Sequence, residues 1–372
     1  MTPRENMLRT LRCDNPEWIP IITYVDVFNH PAPDSLPEPL AGMFRETIAD
    51  WGKRWELFIP LSKYLGIDEY VLTPPAPFAV SYADGVEIME RTEDGISISV
   101  IRTRLGELEQ RRRLNFTIKP YVTGPDDLDI FRAFVESWRY EPLPANIATI
   151  KRMKELSGDN GVTHLYTNGT PLGMMYRVYS DIQSIVYMMQ DVPDKLNDLL
   201  GVMESQYQRE FRLTWEAAPE VDVIVGMDDT STTLVSPSMF AEYNNALTDR
   251  RVEIAESYNK IYLHHSCGLL KGLLPVYART RMHGVHAFCR PPYGDVTYKE
   301  GRKMLGDRIS IYSGIDGGYK PDRETLARAV RDACEDAVAT GNITLGVHSP
   351  DPEHPVDYME QVLEEARKYI RR

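Results

Sequence analysis

The chain has 372 residues, 42% of them hydrophobic and 26% charged, with a formal net charge of −13. This composition allows a large apolar core and excludes a disordered chain. The negative charge, with no stripe of Lys and Arg interleaved with aromatic residues, excludes a nucleic-acid partner, and the absence of a run of about 18 apolar residues excludes a membrane partner.

The chain begins MTPRENMLRTLRCDNPEW, which lacks the apolar core of a signal peptide, so we expect a cytoplasmic protein. Its four cysteines should stay reduced there, which favours metal binding or chemistry over disulfide bonds. They are Cys13, Cys267, Cys289 and Cys334. The length suits a barrel with insertions, and we expect one domain over residues 1–372.

Short β-branched runs alternate with amphipathic helical stretches along the chain, a pattern that predicts parallel strands joined by helices. Two strands are predicted early and six after residue 160. They are Trp18–Val25, Ile67–Leu72, Val162–Thr167, Val221–Met227, Lys260–His265, Val285–Phe288, Ile309–Ser313 and Ile343–Val347. Eight such units permit closure into a (β/α)8 barrel. An open doubly wound sheet is the alternative, but the phosphate loops that would favour it, GxGxxG and GxxxxGK[ST], are absent from the sequence.

Residues 80–121 depart from this rhythm after the second strand. Polar and apolar side chains alternate with a period of two, and turn signals occur at Ala83-Asp84-Gly85 and Glu93-Asp94-Gly95. We expect an antiparallel β insertion here.

Two adjacent carboxylates, Asp228 and Asp229, follow the fourth predicted strand, and Ser236 and Pro237 then open a helix. Carboxylates at the C-terminal end of a barrel strand are placed to bind a substrate or to act as acid or base. Both are therefore candidate catalytic residues. The alternative is that one of them only caps the loop.

The segment KIYLHHSCGLLKGLLP, residues 260–275, carries the clearest chemical signal. Side chains alternate along an extended chain, so His265 and Cys267 should point the same way, and His264 should face the opposite side. An imidazole nitrogen and a thiolate suit zinc, which then needs one more protein ligand to leave an open position. The alternative is a packed cysteine beside a hydrogen-bonded histidine.

Other predicted strand ends add polar side chains. Asn168, Tyr24 and Asp316 are candidate substrate-binding residues, although Asn and Asp are equally ordinary turn residues. His348 follows the last strand, from which its side chain could reach His265 and Cys267 across the barrel mouth. It is therefore the candidate third metal ligand.

Taken together and in order, several motifs resemble the uroporphyrinogen decarboxylase superfamily, and more closely its corrinoid-linked methyltransferase branch. The similarity covers nearly the whole chain. Its segments are RTRLGEL (102–108), NGTPLGMMYRV (168–178), GMDDTSTTLVSPSMF (226–240), HSCGLLKGLLP (265–275) and GDRISIYSGID (306–316).

The resemblance implies a barrel fold and a zinc ion held by the His and Cys of HxCG together with a cysteine after the last strand. This chain has His348 and Ser349 where that cysteine would fall. His348 is the expected substitute, and Cys289 is the second choice. The decarboxylase branch fits less well, because the arginine that pairs with substrate carboxylates is missing from ITYVDVFNHP.

The leading hypothesis is a zinc-dependent methyltransferase that works with a corrinoid (cobalamin) protein as partner. The methyl group would move between that corrinoid and a small molecule, either a thiol, a pterin, or a methylated ether or amine. The direction of transfer and the oligomeric state stay open, with a homodimer as one option. Two alternatives are a metal-free decarboxylase or lyase that uses Asp228 and Asp229, and a non-catalytic small-molecule binding barrel.

Overall fold

In the computed structural model, an eight-stranded parallel sheet curls into a nearly closed barrel surrounded by helices. The structure describes residues 1–23, 36–49, 54–67, 69–114, 116–315, 322–347 and 355–370. The strands in chain order are β1 Ile21–Thr23, β2 Tyr70–Leu72, β3 Phe78–Tyr82, β4 Glu87–Glu93, β5 Ile96–Thr103, β6 Gly106–Arg113, β7 Phe116–Lys119, β8 Trp138–Pro142, β9 Gly161–Asn168, β10 Val223–Met227, β11 Ile261–His265, β12 Gly284–Phe288, β13 Ser310–Ile315 and β14 Ile343–Val347.

The helices lie mainly outside the barrel and connect its strands. They are α1 Pro3–Arg12, α2 Leu40–Ala49, α3 Arg54–Tyr64, α4 Asp127–Glu136, α5 Pro144–Ser157, α6 Pro171–Met174, α7 Ile182–Asp191, α8 Pro193–Ala217, α9 Pro237–Tyr243, α10 Asn245–Ser257, α11 Leu274–Tyr277, α12 Tyr298–Leu305, α13 Arg323–Thr340 and α14 Pro355–Ala366. A five-residue π-helical segment, Met175–Tyr179, follows α6 directly.

The barrel strands are ordered β1-β14-β13-β12-β11-β10-β9-β2, and β1 and β2 at the two ends contact each other. The register pairs Met227 at the end of β10 with His265 on β11, and His265 with His286 on β12. Because these strands are parallel, their C-terminal ends meet at one rim of the barrel.

Alternation along each strand divides the side chains between the barrel interior and the helix layer. On β11, Ile261 and Leu263 pack inside the barrel with Met7 and Leu11, and Tyr262 packs outside against α8 and α10. Met7 and Leu11 belong to α1, which therefore closes the N-terminal end of the barrel. Each such buried aliphatic side chain stabilises the fold by about 1.5–3 kcal/mol.

The predicted barrel and the predicted antiparallel insertion are both confirmed. A four-stranded sheet in the order β4-β5-β6-β7 fills the insertion. A second antiparallel pair, β3 with β8, extends the antiparallel region to residue 142. The sequence analysis did not predict β8, a strand of five residues. Within the described segments, no helix combines the length and the apolar character needed to cross a bilayer.

Candidate metal centre

The chain turns sharply at the end of β10, and the turn is held by the π-helical segment. Tyr176 Oη donates to the carbonyl of Asp228 at 2.8 Å, and Arg177 donates to the carbonyl of Met227. Asp229 then adopts φ +50°, a left-handed conformation that non-glycine residues rarely take. Rare backbone conformations and π-helical segments both concentrate at functional sites.

The loop after β9 packs directly on this turn. A Cβ atom added to Gly169 would lie 2.5 Å from the carbonyl oxygen of Met227, so a side chain there would push the two loops apart. Arg251, fully buried on α10, donates to the carbonyl of Gly169 at 3.0 Å and to Glu204 at 2.8 Å. The buried ion pair therefore ties the β9 loop to α8 and α10.

Asp228 points into the helix layer and is fully buried. Its Oδ1 accepts from the backbone N–H of Thr170 at 2.7 Å and from the Thr170 hydroxyl, and its Oδ2 lies 3.2 Å from Nδ1 of His264. Burial acts to raise the pKa of Asp228, but the His264 ring and the Arg251 charge outweigh it, and the pKa ends below its usual range. The carboxylate is thus enclosed by protein groups on the helix side of the strand.

His264 belongs to the same buried network. Its Nε2 lies 2.9 Å from the hydroxyl of Thr230, which also contacts Tyr277 Oη at 2.7 Å and Ser266 Oγ at 3.1 Å. The ring stands edge-on to Phe240 of α9, with centroids 5.4 Å apart. These contacts place His264 on the helix side, as the alternation of side chains predicted.

Asp229, one residue further along the chain, faces the barrel interior instead. Its Oδ1 lies 2.7 Å from Nε2 of His265 and 3.7 Å from Sγ of Cys267, and its Oδ2 lies 2.8 Å from Nε of Arg177. The side chain is 29% exposed, so it stands at the rim rather than in the core. Asp229, His265 and Cys267 thus form a cluster with one carboxylate, one imidazole and one thiol.

The charges around this cluster shift two pKa values in opposite directions. Burial acts to raise the pKa of Asp229, but hydrogen bonding to His265 and the charges of His265 and Arg177 lower it overall. Burial, followed by the negative charge of Asp229, raises the pKa of Cys267 to about 11. Without a cation, Cys267 is therefore a protonated thiol, unlike a catalytic cysteine, whose pKa is depressed.

The three groups fit a zinc ion. Their candidate ligand atoms all lie within 4.8 Å of one another. Zinc bonds of 2.0–2.3 Å in a tetrahedron separate neighbouring ligand atoms by about 3.3–3.7 Å. The Cys267–Asp229 distance already matches, and His265 needs to move from Asp229 by less than about 1 Å. Nitrogen, sulfur and oxygen are all zinc ligands, and three of them leave one position open.

The structure brings together three of the residues selected from the sequence, namely Asp229, His265 and Cys267. Asn168 instead donates to Glu210 of α8 at 3.0 Å. Cys289 lies close enough to raise the pKa of Cys267, but its thiol contacts the carbonyl of Ala287 at 3.3 Å. The remaining predicted site residues, Tyr24, Asp316 and His348, lie outside the described residues.

Two residues at the site were missed in the sequence analysis. Arg177 reaches Asp229 from a π-helical segment, a conformation for which the sequence carries no recognised signal. His286 lies inside a strand that was predicted, and its Nδ1 is 2.9 Å from Nδ1 of His265. The register between β11 and β12 would have identified it, because the two histidines are direct partners.

No protein-family model matches the sequence, and no curated protein matches it. Among solved structures, the chain is similar to a methyltransferase from Methanosarcina mazei, with 16% identity, a TM-score of 0.62 and 99% of each chain covered. It is also similar to a B12-independent methionine synthase from Shewanella sp. W3-18-1 in complex with selenomethionine, with 13% identity and a TM-score of 0.52 over 94% of this chain and 97% of that one. These likenesses show the fold alone, a parallel barrel surrounded by helices, and the barrel that the sequence resemblance implied is confirmed.

Proposed function

We propose that the chain is a zinc-dependent methyltransferase whose metal ligands are Asp229, His265 and Cys267. The observation that carries this proposal is the convergence of a carboxylate, an imidazole and a thiol within 4.8 Å of one another at the C-terminal rim of the barrel. The fold is compatible with it, since one structural neighbour is described as a methyltransferase and another as a methionine synthase.

Zinc held by these groups supplies a Lewis acid with an open position, which can stabilise a bound thiol as its thiolate or polarise an ether oxygen. The protein's own residues prepare that position. Arg177 holds Oδ2 of Asp229, which leaves Oδ1 directed at His265 and Cys267. Asp228 touches no substrate in this proposal, because it is enclosed in the helix layer.

We propose that a corrinoid protein is the second reactant and docks on the rim that carries the cluster. The sequence resemblance supports this partner, whereas the neighbour described as a B12-independent methionine synthase offers the alternative of a direct transfer between small molecules. His348 and Cys289 are the alternative third metal ligands.

Metal analysis of the purified protein tests the centre. We expect one zinc ion per chain in the wild type, and its loss in His265→Ala and in Cys267→Ala with the fold retained. Cys13→Ala is the matched control, because Cys13 is also a partly buried free thiol but follows α1 at the opposite end of the barrel. Retention of zinc in both site variants, or its absence from the wild type, would exclude this centre.

Activity is then tested with free methylcobalamin and a thiol acceptor, followed by the visible spectrum of the corrinoid. We expect demethylation of the corrinoid by the wild type and none by Cys267→Ala. A protein that binds zinc but transfers methyl groups between thiols and ethers without corrinoid would support the direct route instead.

A further inference from the structure

Four aromatic rings form a column inside the barrel beneath the candidate metal centre. The rings of His164 and Tyr312 are 5.5 Å apart, those of Tyr312 and His286 are stacked at 4.6 Å, and those of His286 and His265 are 5.1 Å apart. They come from β9, β13, β12 and β11. His164 and Tyr312 are fully buried and His286 is 4% exposed, so packing restricts the whole column.

Polar contacts join the two histidines of this column that lie nearest the rim and connect them to Tyr166 of β9. Nδ1 of His265 lies 2.9 Å from Nδ1 of His286, and Nε2 of His286 lies 3.5 Å from Oη of Tyr166, at the long limit of a hydrogen bond. Beyond His286, the strand contains a bulge at Ala287, whose φ is +63°. A bulge of this kind re-aims the side chains beside it.

The positions of the hydrogen atoms along this chain of contacts are assigned by starting from Asp229. The ionised carboxylate only accepts, so in the neutral form of His265 it is Nε2 that carries the hydrogen and donates it to Asp229. Nδ1 of His265 then has a lone pair and accepts from Nδ1–H of His286. Nε2 of His286 is left with a lone pair, which the Tyr166 hydroxyl faces.

We propose that His286, supported by Tyr166, is the positioning residue for His265: it holds the ring at Nδ1 and so directs Nε2 at Asp229 and Cys267. The inference rests on the proposed function where it concerns the metal, and on geometry alone where it concerns the ring. When Nε2 binds a cation, the hydrogen of His265 sits on Nδ1 and His286 accepts it, so the same contact persists with donor and acceptor exchanged.

Zinc affinity, measured by competition with a chromophoric chelator, tests the role toward the metal. We expect His286→Leu to bind zinc about 10- to 100-fold more weakly, as is typical when the hydrogen-bond partner of a metal-bound histidine is lost. His286→Asn should restore the affinity to within about threefold, because the Asn carbonyl oxygen falls close to the position of Nδ1 and accepts the same hydrogen. The zinc affinity of Tyr166→Phe should lie between those of His286→Leu and His286→Asn.

His164→Leu is the matched control. His164 is a fully buried histidine of the same column, and no hydrogen-bond partner to its ring nitrogens occurs among the described residues. Its removal disturbs the packing of the interior without touching His265, so zinc affinity should stay that of the wild type. An equal loss in His164→Leu and His286→Leu would overturn the inference, since both would then act only through packing.

Ring nitrogen NMR of the metal-free protein separates this inference from the proposed function. We expect Nδ1 of His265 to accept a hydrogen bond in the wild type and in His286→Asn and to lose it in His286→Leu, while Asp229 keeps the hydrogen on Nε2 in all three. If the wild type binds no zinc but shows this hydrogen bond, the proposed function fails and the positioning contact stands. If zinc binds normally in His286→Leu and the ring signals of His265 do not change, the inference is wrong.

Discussion

Asp228 and Asp229 are neighbours in the chain, yet they belong to different regions of the molecule. Asp228 pairs with His264 in the helix layer, where both side chains are fully buried and surrounded by hydroxyl groups. Asp229 pairs with His265 at the barrel rim, where the two side chains are 29% and 14% exposed and a thiol lies beside them. The same Asp–His combination thus occurs twice, in two environments.

The comparison shows that residue type does not determine role at this strand end. The buried Asp228 accepts two hydrogen bonds from Thr170 at Oδ1, and its Oδ2 lies beside the His264 ring, so neighbouring protein groups stabilise this carboxylate. A carboxylate at the rim, directed at an imidazole and a thiol, has ligand capacity left for a cation. We therefore infer that the first pair supports the fold and the second supports the chemistry.

The strongest test exchanges each carboxylate for alanine. Asp228→Ala leaves the N–H of Thr170 and the ring of His264 without an acceptor inside the protein, so we expect a loss of about 3–5 kcal/mol in the free energy of unfolding. Asp229→Ala removes a partly exposed pair and should cost no more than about 1 kcal/mol. Urea-induced unfolding of the two metal-free variants measures both values.

Zinc content of the same variants should give the reverse order. Folded Asp228→Ala is expected to keep its zinc, because none of the three proposed ligands is changed, whereas Asp229→Ala should lose it. Equal destabilisation by the two substitutions would remove the distinction between the pairs, and so would loss of zinc from Asp228→Ala alone.

A second prediction concerns pH and the helix side of the barrel. Burial raises the pKa of Glu210 to about 7, and hydrogen bonding from Asn168 only partly offsets this. The folded state therefore keeps a proton that the unfolded chain releases above its ordinary pKa of 4.5. Stability should fall as the pH rises from about 4.5 to about 7, and the cost, on the order of 3 kcal/mol, should be complete above that range.

Glu210→Gln tests this effect, because glutamine does not ionise and still accepts from Asn168. The free energy of unfolding of the variant should fall less steeply over the same pH range. A residual slope is expected in both proteins, since burial also raises the pKa of Glu69 to about 7. Identical slopes in the wild type and the variant would show that Glu210 does not titrate in this range.

Much of the fold could be predicted from the sequence, because the alternation of β-branched runs with helical stretches indicates the repeating strand–helix unit of the barrel. The cluster was predicted in part: alternation along an extended chain put His265 and Cys267 on one side and His264 on the other. This alternation could not show that Asp228 and Asp229 point to different regions, since their directions depend on the left-handed conformation of Asp229 after β10. His286 was missed because its contact with His265 depends on the register of two strands.

Substitution of Arg177 should have the smallest of the predicted effects. Of the two carboxylates, Asp228 and Asp229, its side chain contacts only Asp229. It holds Oδ2 of Asp229 at 2.8 Å and is 26% exposed. Arg177→Gln should weaken zinc binding about 10-fold, since Asp229 loses the partner that fixes its orientation, and should change the free energy of unfolding by less than about 1 kcal/mol. Arg328→Gln, which replaces an exposed arginine on α13, is the control and should change neither quantity.

A large loss of stability without a change in zinc affinity would instead assign Arg177 to the support of the β10 turn, through its bond to the carbonyl of Met227. The orientation of Asp229 would then depend on His265 and Cys267 alone.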